Sequence, residues 1–128
     1  MSTTSLSFPK KEHVTGEIRV KKLFTEGKSF LAYPLKVVYC RNEHRDVPLQ
    51  VLFSVPKRRF KRANKRNLLK RRMREAYRLH RHPLTESLQE QQSALDVAFT
   101  YVANEPLTFQ LIEHKMTEVL SLLQKKMQ

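Results

Sequence analysis

The sequence predicts a single α+β domain with helices layered on one sheet, in the order α-β-β-β-α-β-α. Three observations support this. The chain has 128 residues, 40% of them hydrophobic, with no internal repeat and no low-complexity tract, which suits one modest core. Its apolar residues alternate between short β-branched or aromatic runs and stretches with a 3.6-residue period. No run approaches the roughly 18 apolar residues of a membrane span. The whole of residues 1–128 is therefore assigned to one domain, with 1–13 as a flexible tail.

From Thr15 a short helix is predicted, with Ile18, Leu23 and Phe24 on one face, Val20 flanking it and Gly27 as its stop. Residues 28–34 suit a short edge strand. Lys36 to Arg41 (KVVYCR) and Pro48 to Val55 (PLQVLFSV) read as two strands, and the charged stretch 42–46 between them suggests an antiparallel hairpin. A helix is expected over 64–80, then a polar loop from His82 to Ser93 with Pro83 as breaker. Leu95 to Val102 reads as the last strand. Thr108 is placed to cap a final helix. On that helix Phe109, Ile112, Met116, Val119, Leu120 and Leu123 share an arc of about 100°.

Charge is concentrated in one element. Of 25 Lys and Arg residues, 13 lie between Lys57 and Arg81 with Glu75 as the only acid, a local +12 within a chain of net +13. That distribution suits a polyanion-binding surface. On the helix over 64–80, Leu69, Met73, Ala76, Tyr77 and Leu79 fall on one side, with Arg72 snorkelling at the margin. Asn67, Lys70, Arg71, Arg74 and Arg78 fall on the other. A plain solvated surface would interleave acids. Instead Lys61, Arg62, Lys65 and Arg66 crowd the helix N-terminus, and like charges recur at i,i+4, at a combined cost of about 1–3 kcal/mol. Binding to RNA or DNA would reverse that cost. A bipartite nuclear-import signal would use the same residues but needs no segregation of faces.

The stretch Ser54-Val55-Pro56-Lys57-Arg58, followed by Arg66-Asn67-Leu68-Leu69-Lys70-Arg71-Arg72-Met73-Arg74-Glu75-Ala76-Tyr77-Arg78, resembles the protein component of bacterial ribonuclease P. That family carries S-V-x-K-K/R at a strand end, a short loop, then a helix opening R-N-R and continuing K-R-x-x-R-E/Q-A-F/Y. The likeness extends over most of the chain. Departures are Leu68 at the third position of R-N-R, a basic residue near Lys61 in place of the loop glycine, and a loop one residue longer. The resemblance implies a ribosomal protein S5 domain 2-like fold with a left-handed β-α-β crossover. It also implies a subunit that binds a catalytic RNA and assists removal of the 5′ leader from precursor tRNA, holding the single-stranded leader in a cleft between the sheet and the basic helix. Carried across by position, Arg66, Asn67, Lys70, Arg71 and Arg74 are the RNA-binding residues, joined on charge by Arg62, Lys65 and Arg78. Phe24 matches the aromatic of the leader cleft, and Ser54, Pro56 and Arg58 match its strand-end positions, with Lys57 beside them. Phe24, Ser54, Lys57 and Arg58 are the implied leader-binding residues. Val38 and Tyr39 are weaker candidates for the leader floor, since strand register is not legible from sequence.

No catalytic or metal-ligating residue is assigned. The acids are scattered, whereas two-metal nuclease chemistry needs clustered carboxylates. Glu75 is expected to pair with Arg71, Arg72 or Arg78. His80 and His82 read as solvent-facing loop residues, and no H-E-x-x-H pattern occurs. Cys40, the single cysteine, reads as a buried thiol without a disulfide partner, and a cytoplasmic location is expected. The protein alone is expected to bind no cofactor, with Mg²⁺ entering through the RNA subunit. Two other readings compete. A structural ribosomal RNA binder explains the charge but not the motif spacing. A DNA-binding factor using the basic helix expects a helix-turn-helix or zipper, which the strand-rich remainder opposes.

Overall fold

A computed structural model describes residues 17–42 and 47–127. The expected tail over 1–13, the start of the first helix at Thr15 and the turn over 43–46 lie outside the described residues. The elements are α1 (Glu17–Glu26), β1 (Lys28–Ala32), β2 (Leu35–Asn42), β3 (Leu49–Ser54), α2 (Ala63–His80), α3 (His82–Glu90), β4 (Ala94–Tyr101) and α4 (Phe109–Lys126). They form an α+β domain with one four-stranded sheet of order β1-β2-β4-β3.

The expected hairpin between the second and third strands does not form, because β4 lies between them. It pairs antiparallel with β2 and parallel with β3. The reason is burial. β4 is the strand covered on both faces, with seven of its eight residues buried, so the centre of the sheet is its favourable place. A parallel pair needs a long crossover, and residues 55–93 supply it through α2 and α3.

The loop expected over 82–93 is instead largely the helix α3. Pro83 sits in its first turn, where a missing N–H costs nothing. Leu84, Ser87 and Leu88 recur at i, i+3 and i+4 and are buried. The polar composition of this segment conceals a two-leucine seam.

One face of the sheet carries the main core. Leu69, Met73, Ala76 and Tyr77 from α2 meet Ile112, Met116, Val119 and Leu123 from α4 over Val37, Val51, Phe53, Val97 and Phe99. Phe53 and Phe99 stack with centroids 5.5 Å apart, and Tyr77 meets Phe53 edge-on at 5.8 Å. Thr108 caps α4 as predicted, its hydroxyl accepting from the Leu111 N–H at 3.3 Å. Leu79, placed on the apolar side of α2, is 38% exposed; it lies at the helix end, past the core, in a groove with Pro83 and Leu84.

The opposite face is covered by α1 and is much thinner. Leu23 packs on Val38 and Ala98, with Cys40 and Leu52 at the margin. One turn earlier Arg19 donates to Asp96 Oδ1 at 2.7 Å and to Gln50. Because this seam ends on polar residues, the apolar face expected for α1 reduces to Leu23. Ile18 is 85% exposed and Phe24 47%. Gly27 ends α1 where the chain must touch β2: a Cβ there would lie 2.3 Å from the Leu23 carbonyl oxygen and 2.9 Å from Val38 Cγ1.

Candidate RNA-binding site

The 13 cations of residues 57–81 divide into two groups. Five are held by the fold or by a neighbour. Arg81 is buried, its guanidinium 5.9 Å from the centre of the Tyr77 ring. Arg59 donates to Asn104 Oδ1 at 2.7 Å. Arg72 snorkels along the edge of α2 as predicted and donates to the Leu107 carbonyl. Arg66 donates from one nitrogen to the carbonyls of Phe60 and Lys61, each at 2.8 Å. Arg78 takes the acid of the run, donating to Glu75 at 3.1 and 2.5 Å. That hydrogen bond, ahead of simple charge attraction, holds the Glu75 carboxyl below its usual range and raises Arg78.

The second group faces outward. Lys57, Arg58, Lys61, Arg62, Lys65, Asn67, Arg71 and Arg74 are exposed and Lys70 is half-buried. Among the described residues, Lys70, Arg71 and Arg74 have no carboxylate partner. Leu68, standing where the motif has Arg, is half-buried at the margin of the apolar side. The N-terminus of α2 has no acid in its first turn and no side-chain cap. Its free amides and the cations around them are an unpaired positive end.

Arg66 thus has two roles. Its carbonyl bonds set the path of the chain from the turn after β3, where the Arg59 and Phe60 amides bond back to the Pro56 carbonyl, into α2. Phe60 anchors that loop beneath Tyr101, with centroids 5.8 Å apart. The loop is held by the buried Phe60 ring and by the guanidinium groups of Arg59 and Arg66.

Among the described residues the cleft expected between the sheet and the basic helix is absent, because that space is the packed core. The sheet's open surface is on the other side, with α1. Strand register aligns Leu31, Lys36, Thr100 and Ser54 in a row across all four strands. Leu31 and Lys36 are exposed, and Thr100 and Ser54 half-buried. Phe24 lies on the helix covering this face, and Lys57 and Arg58 lie just past the end of β3. Lys36 is the residue sequence reasoning missed; only the register across β4 aligns it with Ser54. Val38 is instead covered by Leu23. Tyr39 turns to the closed face, edge-on to Phe30 at 6.1 Å.

Among the described residues no three of His, Cys, Asp or Glu are placed to hold a metal ion. The expectation of solvent-facing histidines is corrected: His80 Nε2 meets Glu113 Oε2 at 2.8 Å, bridging α2 and α4, and both ring nitrogens of His82 are buried. Cys40 is half-buried, and that burial chiefly raises its thiol pKa. Among the described residues no helix is long and apolar enough to cross a membrane.

Fold and surface together define a small basic RNA-binding protein. Comparison with known proteins gives the family. The ribonuclease P family model matches residues 8–124. Ribonuclease P protein components from two strains of Porphyromonas gingivalis are 42% identical over 120 residues, covering 93% of this chain and 88% of theirs. The solved ribonuclease P proteins of Staphylococcus aureus and Thermotoga maritima share the fold at TM-scores of 0.70. They cover 88% and 87% of this chain and 94% and 96% of theirs, at 19% and 20% identity. The chain belongs to the ribonuclease P protein family. It is the protein subunit of a ribonucleoprotein endoribonuclease and assists an RNA subunit in tRNA 5′ processing.

Proposed function

We propose that the outward face of α2 and the loop before it bind the catalytic RNA, and that the open face of the sheet guides the 5′ leader of precursor tRNA. Arg62, Lys65, Asn67, Lys70, Arg71 and Arg74 are the RNA-subunit contacts, with Arg66 and Arg78 contributing from their tethered positions. Arg guanidinium groups bridge phosphate oxygens in pairs, whereas lysines act as point charges. Phe24, Ser54, Lys57 and Arg58 contact the leader, with Lys36 added from the exposed row. An aromatic ring beside a basic track grips a single strand without reading its sequence. Mg²⁺ enters with the RNA, and the protein lowers repulsion between two polyanions. The reaction is that of the cell interior, with no membrane contact.

The observation that carries this reading is the cationic trio Lys70, Arg71 and Arg74. Three like charges stand on one helix face while the one acid nearby is engaged by Arg78. The test is reconstitution of protein, RNA subunit and precursor tRNA at low Mg²⁺. Added protein should restore 5′ maturation and tighten binding of leader-bearing over leaderless tRNA. No gain in either measurement rejects the proposal.

A further inference from the structure

Outside residues 57–81 the chain is nearly neutral, with 12 basic residues against 11 acidic. Yet Lys22, Lys28, Arg41 and Lys126 converge on one notch of about 380 Å³, in which Glu26 is the one carboxylate among the described residues. The notch has a structural cause. β2 runs on to Asn42, but β1 begins with Lys28 opposite Tyr39, so among the described residues no strand pairs with the outer edge of β2 from Cys40 onward. The C-terminal half of α1 and the end of α4 wall the gap, and Tyr39 and Cys40 line it.

Helix ends account for only part of this charge. Lys126 lies in the last turn of α4, where a cation complements the helix dipole. Lys28 follows the C-terminus of α1, but Arg41 is a strand residue far from any helix end and answers to no dipole. None of the four cations pairs with a described carboxylate. The Arg41 guanidinium meets Ser93 Oγ at 3.3 Å, and the Lys126 ammonium lies 5.4 Å from the centre of the Phe30 ring. Gathering four cations around one acid costs self-repulsion that an anion would relieve.

We propose that this notch is a phosphate-binding site for an RNA backbone passing the β1–β2 edge, a contact separate from α2. The inference rests on the RNA-binding role proposed above and extends it to the opposite edge of the sheet from β3. The volume exceeds what one phosphate needs. It suits successive phosphates of a strand, or a phosphate with its base against Tyr39.

Cys40 supplies the readout, because it is the chain's one thiol and lines the notch. Its alkylation by iodoacetamide is followed in the full chain with pyrophosphate as probe, then with the RNA subunit, complex formation being measured separately by filter binding. A ligand at ten times its Kd leaves about one site in eleven free, so pyrophosphate should slow alkylation about tenfold. Arg41→Gln with Lys126→Gln should remove that protection. Pyrophosphate giving no protection, or protection that survives in the double variant, overturns the site. Protection by pyrophosphate while Cys40 reacts at its free rate in the formed RNA complex overturns RNA as the source of the phosphate. A complex that fails to form counts against the function proposed above, and the pyrophosphate measurement still decides the site.

Discussion

The two faces of the sheet differ in construction. The closed face is packed by α2 and α4 with aromatic and aliphatic side chains at essentially zero exposure. Among the described residues the open face has one short helix, a three-residue cluster around Leu23 and an ion pair from Arg19 to Asp96. Stability is concentrated on the first face, which leaves the second free to keep lysine, hydroxyl and aromatic groups near solvent. The same division recurs within α2, where one side belongs to the core and the other repels itself. Binding surfaces of this kind need a scaffold that does not depend on them.

Substitutions can break or sharpen that contrast. Phe99→Ala on the closed face should cost about 3–5 kcal/mol, read by denaturant unfolding. Leu23→Ala on the open face should cost less, about 2–3 kcal/mol, since its site collapses more easily; a loss equal to that of Phe99→Ala would abolish the distinction. Arg66→Ala together with Arg71→Ala should weaken binding of the RNA subunit and lower the salt slope by about 1–2 units. Within that pair, Arg71→Ala alone should leave stability within about 0.5 kcal/mol. Only Arg66→Ala should also loosen the loop that it ties, seen as faster amide exchange at Phe60 and Lys61.

Phe24→Ala should likewise leave stability within about 0.5 kcal/mol, since the ring is half exposed. Its effect should fall on leader-bearing substrate, and equal losses for leaderless tRNA would remove Phe24 from the leader track. The smallest effect belongs to Glu75. The hydrogen bond from Arg78 lowers its pKa. The pair's contribution is therefore present above the ordinary carboxylate pKa and is lost as pH falls through the lowered value. Glu75→Gln should flatten that acid-side dependence of stability. It should also release Arg78 and steepen the salt slope of RNA binding by at most about one unit; an unchanged slope would mean Arg78 already faces RNA.

Much was legible from local pattern. The boundaries of α2, the start of α4 at the Thr108 cap, the Arg72 snorkel and the segregation of charge depend on residues within one or two turns of each other. The hairpin expected between β2 and β3 was wrong because adjacency in sequence says nothing about a strand arriving forty residues later. The helix α3 was hidden because Pro83 and a polar composition suggest a loop, although Pro is well tolerated in a first turn. Arg59 and Arg81 looked like two more cations of the run. Their partners, Asn104 and the Tyr77 ring, are supplied by the packing around α2.

The amino-acid sequence alone determined the family motif, the amphipathic helices and the place where positive charge accumulates, since each is a matter of residue type and short-range period. Tertiary structure decided which cations stay free, which face of the sheet remains open, and that Lys36 stands in line with Ser54. Those depend on strand order and register, which arise from long-range pairing through β4 and leave no trace in any single segment.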